Sequence, residues 1–183
     1  MTDTTIAPLY IDELAALRVR LARLEAENAC RRAMAEYMRL CDELGADTPM
    51  DRLGELFTSD AIWEGKGARY SAAFGLRRGR RAIVDFLDTY RHPQPHFALN
   101  VHYLSSEAIH VRNDTQACGS WTMLQLSTLS HGESIALGAR LEVEFSLDVN
   151  CWRIARFTTR NLFSQNNVRA WNDESAVSVP DAG

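Results

Sequence analysis

The 183-residue chain contains no apolar run long enough to span a membrane. None of its four cysteines (Cys30, Cys41, Cys118 and Cys151) forms a C-x-x-C pair, which removes a zinc ribbon and a thioredoxin-like centre. There is no H-x-H or H-E-x-x-H for a metal, no G-x-S-x-G for a serine hydrolase, and no Walker or G-x-G-x-x-G loop for a nucleotide. His92 and His96 are four apart, but Pro93 and Pro95 prevent a helix that would align them as ligands. No metal and no cofactor are therefore expected. Basic charge is also short: 20 Lys and Arg face 24 Asp and Glu, a net charge of −4, which argues against nucleic-acid and membrane-surface binding. Residues 1–11 lack the basic start and apolar stretch of a secretory signal, so a cytoplasmic protein with reduced thiols is expected.

What remains is a chain of globular composition, 46 % hydrophobic and the right length for one domain. Helical periodicity fills its first half and strand alternation its second, which predicts an α+β fold with one sheet. Asp12 can cap a helix reaching about Glu43. Its first part carries Leu14, Leu17, Leu21 and Leu24 at heptad spacing, interrupted by Asn28 and Arg31. The apolar face then shifts to Cys30, Ala33, Met34, Tyr37, Cys41 and Leu44. This is either a core helix preceded by an extension that packs on a partner subunit or a long helix lying on its own domain. Thr48 and Pro49 read as the cap and first residue of a second helix, with Asp51 placed for a capping box. A short strand is expected at 61–64, a hairpin or loop over 65–78, and a third helix over about 80–90.

From residue 96 the period becomes two. His96, Ala98, Asn100 and His102 share one face, and Phe97, Leu99, Val101 and Tyr103 the other. Strands follow at 107–112, 116–128, 134–147 and 151–163, separated by turns at Asn113-Asp114, Ser130-His131-Gly132 and Asp148-Val149-Asn150. They predict an antiparallel, strongly curved meander with helices on its concave face and a pocket between the layers. The expected divisions are a helical extension (1–29), an α+β domain (30–163) and a polar, fraying tail (164–183).

Five local motifs resemble one family. Tyr37-Met-Arg-Leu-Cys-Asp42 is similar to its helix-end Tyr-x4-Asp, and Leu56-Phe57-Thr58-Ser59-Asp60-Ala61-Ile62-Trp63 to its L-F-x-x-D-A-x-W. Gly79-Arg-Arg-Ala-Ile83 resembles its G-x-x-A-I, His96-Phe-Ala-Leu-Asn100 its H-x-x-x-N, and Trp152-Arg153-Ile154 its W-R-I. The resemblance is to the SnoaL-like branch of the nuclear-transport-factor-2-like superfamily, which includes scytalone dehydratase and bile-acid 7α-dehydratase. It implies a cone-shaped α+β fold in which the His/Asn strand face lines the pocket and the opposite face packs on another subunit. The superfamily also includes ketosteroid isomerases, polyketide cyclases, a dehydrochlorinase and the non-catalytic small subunits of ring-hydroxylating dioxygenases.

Candidate catalytic residues are Tyr37, Asp42 and His96. On an ideal helix Tyr37 and Asp42 lie about 140° apart, so they converge only if the helix end unwinds. Otherwise they are a core tyrosine and a carboxylate on the last turn, where it opposes the helix dipole. Imidazole suits proton transfer near neutral pH, and the resemblance places His96 in the pocket. His96 is assigned the proton transfer, oriented by Asp42, with Tyr37 donating to a substrate oxygen. Asn100 would position substrate or His96. Trp63, Trp121, Met123, Phe157 and His102 are the remaining candidates for substrate contact, with core packing the alternative for the apolar four. The expected activity is a cofactor-independent lyase, a dehydratase acting on a hydrophobic polycyclic, steroid- or polyketide-like molecule. Isomerisation or cyclisation on the same scaffold, or a binding module without catalysis, are the alternatives. The apolar strand face and the leucine seam predict a homo-oligomer, a trimer by resemblance and a dimer next.

Overall fold

The computed structural model describes residues 6–167. Residues 1–5 and 168–183, including most of the expected tail, lie outside the described residues. The elements run α1 (Ile6–Asp42), α2 (Met50–Glu55), β1 (Phe57–Lys66), α3 (Gly67–Ala73), β2 (Leu76–Arg78), α4 (Arg80–Asp88), β3 (Phe97–Asn113), β4 (Gln116–Leu129), β5 (Ser134–Asp148) and β6 (Cys151–Asn167). This is the helices-then-strands order that the change of period implies, and the fold is α+β and cone-shaped, with a curved, unclosed sheet.

The sheet order is β2-β1-β6-β5-β4-β3. Strands β3 to β6 form the antiparallel meander. β1 joins its far edge parallel to β6, so the sheet is mixed and not wholly antiparallel. Short turns dictate antiparallel pairing for β3–β6, but β1 reaches β6 from across the helices, and its direction is a tertiary matter.

α1 is continuous through residues 29 and 30, where an extension and a domain were expected to meet, and Asp12 lies within it. From residue 12 on, its first buried residue is Ala26. From there Cys30, Ala33, Met34, Tyr37, Met38 and Leu40 pack into the core against the sheet. Each large aliphatic buried in this way contributes roughly 1.5–3 kcal/mol. Thr48 does not cap α2. Its hydroxyl donates to the Glu43 carbonyl and accepts from the Gly45 backbone N–H, tying off the end of α1 instead. Residues 65–78 hold the short helix α3 and the strand β2 in place of a loop. Gly65 is required there, because a Cβ would stand 2.5 Å from the Tyr70 carbonyl oxygen.

The expected strands at 96–103 and 107–112 are one strand, β3, broken by a bulge between Ser105 and Ala108 where Ser106 takes φ 50°. The extra residue changes the parity of the strand. Before it, Asn100, His102 and Leu104 pair with the inward Ser127, Gln125 and Met123; after it, Ile109 and Val111 pair with Gly119 and Ala117. Between β1 and β5, β6 extends through residues 164–167, which pair with β5 and do not fray.

Candidate active site

The C-terminal end of α1 is clamped to β3 by two successive residues. The Cys41 carbonyl, one of those a helix end leaves without a partner, accepts a hydrogen bond of 2.9 Å from Asn100 Nδ2. The next residue, Asp42, meets the next inward position of β3. Its Oδ1 accepts the His102 backbone N–H at 3.0 Å and lies 2.6 Å from His102 Nδ1. These two bonds offset the unfavourable position of a carboxylate at a helix C-terminus. The side chains keep only 10 % (His102) and 25 % (Asp42) of their exposure. With a carboxylate on Nδ1, the matching neutral tautomer carries its proton there and leaves the Nε2 lone pair free.

His102 lines a cavity of about 230 Å³ between the helices and the sheet. Its walls are mostly aromatic. Trp63 stacks on Phe157 at 5.7 Å between ring centroids, with Phe74 and Phe86 against its other sides. Tyr37 is buried, packs edge-on against Phe57 and Phe157, and accepts a hydrogen bond of 2.9 Å from Trp63 Nε1. Burial holds its phenol well above the ordinary range, so it stays protonated. Burial likewise pushes the Cys41 thiol to about 12, which keeps it an unreactive neutral group in the wall.

The pairing of Asp42 with His96 is not formed. His96 precedes the first residue of β3, with its backbone bonded to Tyr90 and Ser130. Its ring lies edge-on to Tyr90 and Phe97 at the cavity mouth. One flank is covered and the rest reaches solvent; the partial burial, then the neighbouring His131, lowers its pKa below the ordinary 6.5. The reason is registration: α1 ends opposite Asn100, so its last carboxylate reaches the histidine two residues beyond Asn100. Tyr37 and Asp42 do not converge either, because α1 stays helical through Asp42. Tyr37 and the imidazole held by Asp42 nevertheless face one cavity.

Among the other candidates, Trp63, Met123, Phe157, Asn100 and His102 all line the cavity. Trp121 does not. It is fully buried, edge-on to Phe145, and its indole N–H donates to Glu107 Oε2 at 3.1 Å. Glu107 also binds Arg31 of α1 at 2.8 Å. The β3 bulge aims Glu107 inward, where a buried indole needs an acceptor.

Residues 22–158 match the SnoaL-like domain family. The chain belongs to that family. Solved structures agree on the fold. A type-2 hexachlorocyclohexane dehydrochlorinase superposes with a TM-score of 0.68 at 17 % identity, over 88 % of this chain and 99 % of that one. A scytalone dehydratase candidate from Novosphingobium aromaticivorans gives 0.66 at 18 % identity, over 85 % and 97 %. A nuclear-transport-factor-2-like protein from Salmonella enterica serovar Typhimurium gives 0.60 at 19 % identity, over 75 % and 91 %. No curated protein matches the sequence.

The SnoaL-like fold also brings in residues that motif reading passed over. Gln125 and Ser127 are buried on β4 opposite His102 and Asn100. Gln125 Nε2 donates to Asn100 Oδ1 at 2.8 Å, and Ser127 Oγ to the same oxygen at 2.7 Å. Asn100 is thus engaged at both ends of its amide and positions the helix end. The sequence carried a signal for this pair. On a strand whose inward positions are otherwise Ala117, Gly119, Trp121 and Met123, two polar residues in the same phase need buried partners. Among the described residues no three His, Cys, Asp or Glu side chains gather as a metal-ligand group. No described helix is long and apolar enough to cross a membrane.

Proposed function

We propose that the protein is a cofactor-independent lyase that eliminates water from a hydrophobic polycyclic or steroid- or polyketide-like molecule bearing a hydroxyl β to a carbonyl. The observation that carries this reading is the 2.6 Å contact between Asp42 and His102 at the edge of an aromatic cavity. Asp42 orients the ring and stabilises the imidazolium, leaving Nε2 as the base. Nε2 takes the proton α to the carbonyl, the C–H electron pair forms the new C=C bond, and the C–O bond breaks. The imidazolium returns the proton to the departing hydroxide, so water leaves and the imidazole is neutral again beside the Asp42 carboxylate. Tyr37, kept protonated by burial and lining the same cavity, donates to the substrate carbonyl as charge develops there. The names of the dehydrochlorinase and the scytalone dehydratase candidate are compatible with elimination on this scaffold.

Isomerisation needs the same base and donor and differs only in having no leaving group. A panel of β-hydroxy ketosteroids and aromatic polyketides, assayed for water loss by mass spectrometry with wild type and His102→Ala, tests the reading. A product lighter by one water, formed by wild type and at least ~100-fold more slowly by the variant, is the expected result. Double-bond migration at constant mass would transfer the assignment to isomerase. Turnover unaffected by His102→Ala would end the role of the pair.

A further inference from the structure

Among the described residues, the stretch of α1 from 12 to 25 packs on nothing else in the protein. Every described residue from 12 to 25 is exposed, and contact with the body starts at Ala26. Yet Leu14, Leu17, Leu21 and Leu24, open by 51, 52, 56 and 62 %, make a single stripe along it. A projecting helix with no tertiary packing is marginal in water, and its apolar stripe is what a neighbour would cover.

The stripe faces away from the domain. With Leu14 and Leu21 at heptad position a, and Leu17 and Leu24 at d, the residues that bury α1 on its own sheet are Ala26, Cys30 and Ala33. They fall at f, c and f. At about 100° per residue, f and c lie opposite the a/d seam. A second helix can therefore lie along the leucines without meeting the body.

Charge chooses that helix. The g positions are Glu13, Arg20 and Glu27, and the e positions Arg18, Glu25 and Arg32. In a parallel, in-register pair each g residue meets the e residue five places on in the other chain. The pairs are Glu13 with Arg18, Arg20 with Glu25 and Glu27 with Arg32, opposite in sign every time. An antiparallel pair centred on the same leucines would set Arg20 against Arg20 and Glu13 against Glu27. None of the six charges lies in an ion pair within the described chain. Asn28 occupies the next a position and is exposed; a polar a residue of this kind favours one register and two strands. Arg31, at the following d, is held by Glu107, so the seam ends where the domain begins.

We propose that this segment pairs with the same segment of a second copy as a parallel, in-register, two-stranded coiled coil, which hangs one domain on each outer side. The inference is independent of the proposed activity. Sedimentation equilibrium of the full chain at about 1–50 μM tests it, with far-UV circular dichroism to show that each variant is folded. Wild type should be a dimer. Leu17→Asp with Leu21→Asp should raise the dissociation constant at least ~100-fold, since two seam layers then bury charge. Arg20→Glu should weaken the dimer by about tenfold, and adding Glu25→Arg should restore it, because the pair is then reversed but still complementary. Leu21→Cys should give a disulfide-linked dimer on oxidation beyond any wild-type background, as a positions face each other only in the parallel arrangement. A wild-type monomer, a trimer, a dimer indifferent to the two aspartates, or failure of the charge swap to restore assembly would overturn the proposal.

Discussion

Two of the ties between α1 and β3 use a carboxylate, one before the bulge and one within it. Within the bulge the acid is on the strand: Glu107 joins the Trp121 indole and the Arg31 guanidinium. Before it the acid is on the helix, where Asp42 holds His102. The two clamps differ in what the carboxylate faces. A guanidinium is charged at every physiological pH and an indole N–H only donates, so the Glu107 cluster can hold shape but cannot move a proton. An imidazole held through Nδ1 keeps a second nitrogen, and this one borders a cavity. Two similar anchors thus divide into one that only fastens and one that also has a chemical option.

The sharpest break in that comparison comes from the dyad itself. His102→Ala should lower kcat by roughly a hundred- to ten-thousandfold, and Asp42→Asn by about a hundredfold, as expected for lost acid–base catalysis. The double variant should be little worse than His102→Ala, because residues acting as one unit are not additive. Steady-state rates for the three proteins decide it. Equal losses from His96→Ala would move the catalytic imidazole to the cavity mouth.

Asn100→Ala comes next. It strips partners from the Cys41 carbonyl, Gln125 and Ser127 at once. The expected cost is about 2–3 kcal/mol of stability, from buried polar groups left unsatisfied, with kcat falling as the α1 end loosens. Denaturant melts beside kinetics measure both.

Glu107→Gln should cost about 1 kcal/mol and leave kcat within about twofold. That split, read from thermal midpoints and turnover, separates the fastening clamp from the reactive one.

The smallest effect is at His96. Its folded pKa lies below the ordinary 6.5 because burial disfavours the cation. Just below pH 6.5 the unfolded chain therefore binds more protons than the folded one. Stability from this group is complete above that pH and declines as pH falls towards the folded value. His96→Gln should flatten the pH dependence of the midpoint between about pH 6.5 and 5, with little change at pH 8.

Much of this architecture was legible in the chain. The change from 3.6 to 2 in apolar period separates α1–α4 from β3–β6, and the turns at Asn113-Asp114 and Asp148-Val149-Asn150 mark where the meander reverses. Periodicity also put Asn100 and His102 on one face. Local pattern could not show the bulge at Ser105–Ala108, where a single added residue sends Glu107 inward and gives Trp121 a structural partner. Nor could motif spacing distinguish His96 from His102 as the mate of Asp42. The alternating pattern puts both on one face, and the choice depends on where a helix more than fifty residues upstream happens to end.

The sequence by itself determined the class of fold, the family, the inward phase of the long strands away from their bulges and the heptad seam with its alternating charges. These properties follow from side-chain period, and period is local. Only the tertiary structure decided the parallel entry of β1 beside β6, the clamp of α1 on β3 and the pairing of Asp42 with His102. Each is a contact between segments far apart in the chain. Its register is set by how whole elements pack, and no window of neighbouring residues contains that information.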